Sequence, residues 1–183
     1  MDVEPRIAQI YKLCGNEEKT LKYAKLSIKT FEDIITNPKI SPQLQTYLEY
    51  EIQGRFDQGP YNALANTYAM IGDYESAISK LTELNNRMEP YLASAQQYSS
   101  QQEVFNIRVR QELNLLKMDM YTVDRLVEDD DLDNAVAELN RLQEKFADNE
   151  YSTYLMQQIQ QRKAIIEMQR AGIVLGNNTF FMN

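Results

Sequence analysis

The sequence predicts an all-α protein, an α-α superhelix (solenoid) of about eight or nine helices in three units of roughly 57 residues each. Three observations predict it. Apolar residues recur at i, i+3, i+4 and i+7 along most of the chain, and no segment shows sustained strand alternation bounded by turn residues. Gly occurs 6 times and Pro 5 times in 183 residues, which leaves room for long uninterrupted helices. Similar helix-turn-helix junctions return with their turn residues at 15, 72 and 130, so the offsets are 57 and 58.

The elements follow in order. Ile7, Ile10, Tyr11 and Cys14 place a short helix before Gly15-Asn16, because Gly is favoured just past a helix C-terminus. A second helix spans 17–36, with Leu21, Ala24, Ile28, Phe31 and Ile35 as its apolar face, and stops at Asn37-Pro38. Ser41-Pro42 reads as an N-cap and first helical residue, opening a helix with Leu44, Tyr47, Leu48 and Ile52 that fades at Gly54. Gly59-Pro60 opens a fourth helix holding Tyr61, Leu64, Ala65 and Tyr68, closed by Gly72-Asp73. The fifth carries Ala77, Ile78, Leu81 and Leu84, reaches Met88, and is expected to break or kink at Pro90. Residues 103–128 contain no Gly or Pro and predict one long helix, facing its core through Val104, Ile107, Leu113, Leu116, Met120, Val123 and Val127. The acidic run Glu128, Asp129, Asp130, Asp131 reads as a turn and an N-cap for the next helix, which holds Ala135, Val136, Leu139, Leu142 and Phe146. As a calcium loop this run lacks the Gly at its sixth position and the bidentate Glu at its twelfth, where Asn140 stands. The last helix spans 151–170, with Tyr154, Leu155, Ile159, Ile166 and Met168.

The three junctions carry a common pattern. It reads Ile7-Ala8, Tyr11, Gly15-Asn16, Ala24 in the first unit and Leu64-Ala65, Tyr68, Gly72-Asp73, Ala77, Leu81 in the second. The third reads Thr122-Val123, Leu126, Asp130-Asp131, Ala135, Leu139. The second unit, from Tyr61 to Ile78, resembles a tetratricopeptide repeat, with a bulky residue, Leu64, Ala65, Tyr68, then Gly72-Asp73-Tyr74 and Ala77. The first unit departs from that family at Thr20 and the third at Asp130. The tandem period of the family is about 34 residues, so each unit here carries an inserted helix. The resemblance implies that Ala65 and Ala77 let two antiparallel helices approach closely and that Tyr68 fills the gap between them. It implies a concave groove that receives a peptide or partner helix, lined by Asn62, Asn66 and Met70 in unit two and by Gln9 and Lys12 in unit one. Asn66 stands where the family often uses an Asn to bond a peptide backbone, since an amide donates and accepts together. The plainer alternative is a set of solvated polar positions. With Lys12 as its only cation, the set does not suggest a carboxylate clamp.

A looser resemblance covers Leu64 to Phe146. The order of a repeat hairpin, Met88-Glu89-Pro90-Tyr91-Leu92, a long Gln- and Leu-rich helix, and Leu132-Asp133-Asn134-Ala135 is similar to the soluble C-terminal helical region of bacterial multi-pass membrane proteins resembling protein O-mannosyltransferases. It implies an accessory domain of a membrane glycosyltransferase-like parent chain, facing the periplasm.

Composition narrows the function classes. There is no His, so Ser-His-Asp and Cys-His catalysis and His-ligated metals are excluded. One Cys, Cys14, excludes an intrachain disulfide, and its place on an apolar face predicts a small buried hydrophobe. The net charge of −8 argues against a nucleic-acid partner. Carboxylates such as Glu49 and Glu51 fall on exposed-looking helical faces without a focused pair. The reading is therefore a non-catalytic protein-interaction scaffold that needs no cofactor and no metal. The start lacks the features of a signal peptide, which predicts a cytoplasmic chain or a piece of a longer one. Residues 1–170 are read as one helical domain and 171–183 as an apolar tail with Ile173, Val174, Leu175, Phe180, Phe181 and Met182. The tail is expected to cap the open end of the solenoid, with partner binding or a homodimer as alternatives. Asn177-Asn178-Thr179 within it matches a glycosylation sequon, which matters only in a secreted chain.

Overall fold

The computed structural model describes residues 3–37, 39–56, 58–98 and 101–172. The tail with its sequon, and with it the cap and dimer expectations, lies outside them. Eight α-helices and no strand occur among the described residues. They are α1 (Val3–Leu13), α2 (Glu17–Thr36), α3 (Pro42–Ile52), α4 (Pro60–Met70), α5 (Tyr74–Tyr98), α6 (Gln101–Glu128), α7 (Leu132–Phe146) and α8 (Ser152–Arg170). None is long and apolar enough to cross a membrane.

The three turn positions share one local geometry. Gly15, Gly72 and Asp130 all have left-handed backbones, with φ of 68°, 78° and 58°. At each, the turn N–H bonds the carbonyl three residues back and the next N–H bonds the carbonyl five back (Gly15 to Lys12 and Asn16 to Tyr11; Gly72 to Ala69 and Asp73 to Tyr68; Asp130 to Val127 and Asp131 to Leu126). This Schellman closure satisfies the last carbonyls of the incoming helix. The following residue then caps the outgoing helix through its side chain, Asn16 to Lys19 N, Asp73 to Ser76 N and Asp131 to Asn134 N. Buried positions recur in the same register: Ala8, Ala65, Val123; Thr20, Ala77, Ala135; Ala24, Leu81, Leu139; Ser27, Leu84, Leu142; Phe31, Met88, Phe146. The internal repeat of 57 and 58 residues is thus present in both the junctions and the burial.

The contacts of the described residues group into two compact units, divided between Gln111 and Glu112. In the first, α1 packs on α2, α2 on α4 and α4 on α5. Its core gathers Phe31, Ile34 and Ile35 of α2, Leu48 and Ile52 of α3, Tyr61 and Leu64 of α4, Leu84, Met88 and Leu92 of α5, and Ile107. In the second, Leu116, Met120 and Val123 of α6 meet Ala135, Leu139, Leu142 and Phe146 of α7 and Leu155, Ile159 and Ile166 of α8. Buried Arg162 of α8 pairs there with Asp124.

Four expectations are corrected. Helix α5 does not break at Pro90 but continues to Tyr98. An interior Pro costs about 3 kcal/mol, and burying Leu92 and Ala95 beyond it contributes about as much. The apolar faces of several helices are rotated, since Ile10, Leu21, Ile78, Tyr154 and Met168 are exposed. On α2 the buried seam follows Thr20, Ala24 and Ser27, small enough for α1 to approach closely, and Leu21 lies about 100° round from Thr20. Cys14 is exposed rather than buried, because it sits in the closing turn beside Gly15 rather than in the α1–α2 seam. Tyr68 is not confined to the α4–α5 gap, since its hydroxyl donates to Glu32 of α2 at 2.8 Å.

Candidate functional site

Helix α4 begins with Gly59 at the N-cap and Pro60 at the first helical position. Gly brings no capping side chain, so the N–H groups of Tyr61 and Asn62 need an outside acceptor. Glu51, at the end of α3, supplies it. Its carboxylate, 1% exposed, accepts from Tyr61 N at 2.9 Å, Asn62 N at 2.9 Å and the Asn62 side-chain amide at 3.1 Å. The negative charge also lies at the favourable end of the helix dipole. Glu51 was expected on an exposed face. It is buried instead, because charge-assisted bonds to a helix terminus offset its desolvation. Sequence reasoning missed this cap, although a Gly-Pro helix start lacking Ser, Thr, Asp or Asn was the available signal.

The five predicted groove residues fall on α1 and α4. Lys12 and Met70 meet, because the Lys12 ammonium donates to the Met70 carbonyl at 2.8 Å and so satisfies an acceptor at the C-terminal end of α4. The side chain of Met70 is buried at 6% exposure. Asn62 is also buried, and its amide bonds Glu51. Asn66, one turn from each, is half-buried, as is Gln9 on α1. Asn66, Gln9 and Lys12 are therefore the partly accessible members of the predicted set, while Asn62 and Met70 are buried.

Two tyrosines lock α4 to its neighbours. The Tyr61 hydroxyl donates to Glu83 of α5 at 2.6 Å, with the Arg87 guanidinium 5.6 Å from the ring centroid. Burial, and then the Glu83 carboxylate, push this hydroxyl well above the usual tyrosine range. The Tyr68 hydroxyl is pushed up to about 12 by burial and by its bond to Glu32. Neither is set up as a base or nucleophile, because each is held protonated as a donor.

In the second unit an open depression of about 440 Å³ is floored by Leu115, Met118 and Phe146. Its rim carries Lys145 paired with Asp119 at 2.5 Å, and the Asn149 amide donating to Glu112 at 2.9 Å. These charged and amide groups are matched to one another rather than aimed at a common point. Among the described residues no three His, Cys, Asp or Glu side chains gather as metal ligands. In the acidic run, Asp131 caps α7 and Asp133 pairs with Arg170 at 2.5 Å.

Comparison with protein-family models, with curated proteins and with solved structures finds no match to this chain.

Proposed function

We propose that this chain is a tetratricopeptide-like helical-repeat module that works without catalysis, docking a peptide or a partner helix on the face of α1 and α4 that carries Gln9, Lys12 and Asn66. The observation that carries the reading is the threefold recurrence of one junction, with a left-handed turn residue, a Schellman closure and an Asx cap at offsets of 57 and 58. Repeats of this kind bury their apolar faces against neighbours and leave the first helix of each hairpin to present side chains. The contact of Lys12 with the Met70 carbonyl supports a shared face, since it joins the first helices of two successive hairpins. Their small-residue seams make that face rigid, which lowers the entropy lost on docking. On it, the Asn66 amide is suited to donate to and accept from a peptide backbone. The buried Asn62 and Met70 hold Asn66 in register.

The test is affinity capture with the intact chain and with Asn66→Ala combined with Gln9→Ala. Both residues are half-buried surface positions, so the variant is expected to keep its helicity. Loss of the captured partner supports the groove. An unchanged set of captured proteins overturns it.

A further inference from the structure

A second surface lies on α2. This helix carries four lysines and four carboxylates, yet they are segregated. Glu17 and Glu18 stand at its start, Glu32 and Asp33 near its end, and Lys19, Lys22, Lys25 and Lys29 between them. Lys22, Lys25 and Lys29 are exposed and stand at i, i+3 and i+7. They form a row along one face over about 10 Å. Among the described residues none of the three is in an ion pair. Two ammonium groups of the helix lie near rings, that of Lys19 at 4.8 Å from the Tyr11 centroid and, more loosely, that of Lys22 at 5.9 Å from the Tyr23 centroid. Leu21 and Leu26 flank the row, one on each side, and are 42% and 48% exposed. Each is set about 40° beyond the nearest lysine. The opposite face of α2 is the buried seam of Thr20, Ala24, Ser27 and Phe31, so the helix cannot roll to hide the leucines.

We propose that Lys22, Lys25 and Lys29, with Leu21 and Leu26 beside them, form a docking surface for a short acidic segment of a partner protein that carries apolar residues next to its carboxylates. Charge complementarity selects the occupant. In a chain of net charge −8 this row is a local positive field, and a Debye length of about 8 Å at physiological salt lets it act over its own dimensions. The segregation limits the size of what binds. An extended anionic surface such as a lipid bilayer would also meet exposed Glu17, Glu18 and Asp33 at the two ends. A segment of two to three helical turns meets only the lysines. The leucines add apolar contact, which a purely ionic ligand would leave unused. The surface is separate from the α1 and α4 face, so it stands or falls independently of the reading above.

The test titrates the intact chain against a fluorescent synthetic peptide of about 15 residues, with Glu spaced i, i+3 and i+7 and a Leu on each side of that row. The parallel probes are polyglutamate of equal length and vesicles of phosphatidylserine with phosphatidylcholine. The Leu-Glu peptide is expected to bind more tightly than polyglutamate, and to weaken at least about tenfold between about 20 mM and 200 mM salt. Lys22→Glu with Lys25→Glu and Lys29→Glu is expected to abolish binding. The milder triple change to Gln is expected to cost about tenfold, as three exposed ion pairs would. Leu21→Ala with Leu26→Ala is expected to weaken the Leu-Glu peptide towards the polyglutamate level while keeping the salt dependence. All five side chains are exposed, so circular dichroism and thermal midpoint should match the parent. The proposal is overturned by absence of peptide binding at low salt, by triple variants that bind like the parent, or by vesicles that bind more tightly than the peptide.

Discussion

Gly59 and Glu51 are expected to be strongly coupled, and a double-mutant cycle measures the coupling. A methyl group added at Gly59 would lie 2.4 Å from Cδ and Oε2 of Glu51 and 2.5 Å from its Cβ. The backbone there, with φ −78° and ψ −178°, is open to any residue, so the cost of Gly59→Ala is steric. Glu51 cannot swing aside without breaking the bonds from Tyr61 N, Asn62 N and the Asn62 amide. Overpacking costs about 1–3 kcal/mol, and weakening one charge-assisted bond adds about 1.5 kcal/mol. Gly59→Ala is therefore expected to destabilise by about 3 kcal/mol. Glu51→Ala leaves two buried backbone donors of α4 without their acceptor, at about 1–3 kcal/mol each, or about 4 kcal/mol together. In the double variant the contacts with Cδ and Oε2 are gone, while the contact with Cβ of residue 51 remains and keeps part of the steric cost. The total is expected to be about 5 kcal/mol instead of the additive value of about 7. Urea unfolding followed by far-ultraviolet circular dichroism measures all three. Additivity within about 0.5 kcal/mol would refute the argument that Gly59 is there to admit Glu51.

Other consequences are open to measurement. Asp130 is a non-Gly residue with φ 58° at a position where the first two junctions have Gly; Asp130→Gly is expected to raise stability by about 1 kcal/mol, and a lower thermal midpoint would contradict this. Tyr68 has its folded pKa raised from 10.0 to about 12, so its contribution is complete below pH 10 and is lost as pH climbs towards 12. Tyr68→Phe should lose that part of the alkaline destabilisation, and identical pH profiles for the two chains would contradict the assignment. Removing Arg162 leaves Asp124 without its partner guanidinium at a position where the arginine is only 9% exposed. Arg162→Ala is expected to cost about 3 kcal/mol, against at most about 1 kcal/mol for the exposed Arg141→Ala, whose ion pair with Glu138 lies at the surface.

Most helix boundaries were legible in the sequence because their determinants are local. A left-handed Gly followed by Asn or Asp closes one helix and caps the next within about six residues of chain. The repeat at 57 and 58 was legible for the same reason, and so was the capping role of Asp131. The candidate groove was legible only as positions. The resemblance implied Asn62, Asn66 and Met70 as lining positions of α4, but not the burial of Asn62 against Glu51 or the burial of Met70 beside the Lys12 contact.

By itself, then, the sequence determined an all-helical chain, its turns and the period that relates its three junctions. Tertiary structure decided which face of each helix is buried. It turned Leu21 outward because the α1–α2 seam needs small residues, and carried α5 through Pro90 because the core rewards Leu92 and Ala95. It also buried Glu51, whose partners lie 10 and 11 residues away. Helix termini depend on backbone groups a few residues apart, whereas burial depends on what another helix brings to the same place.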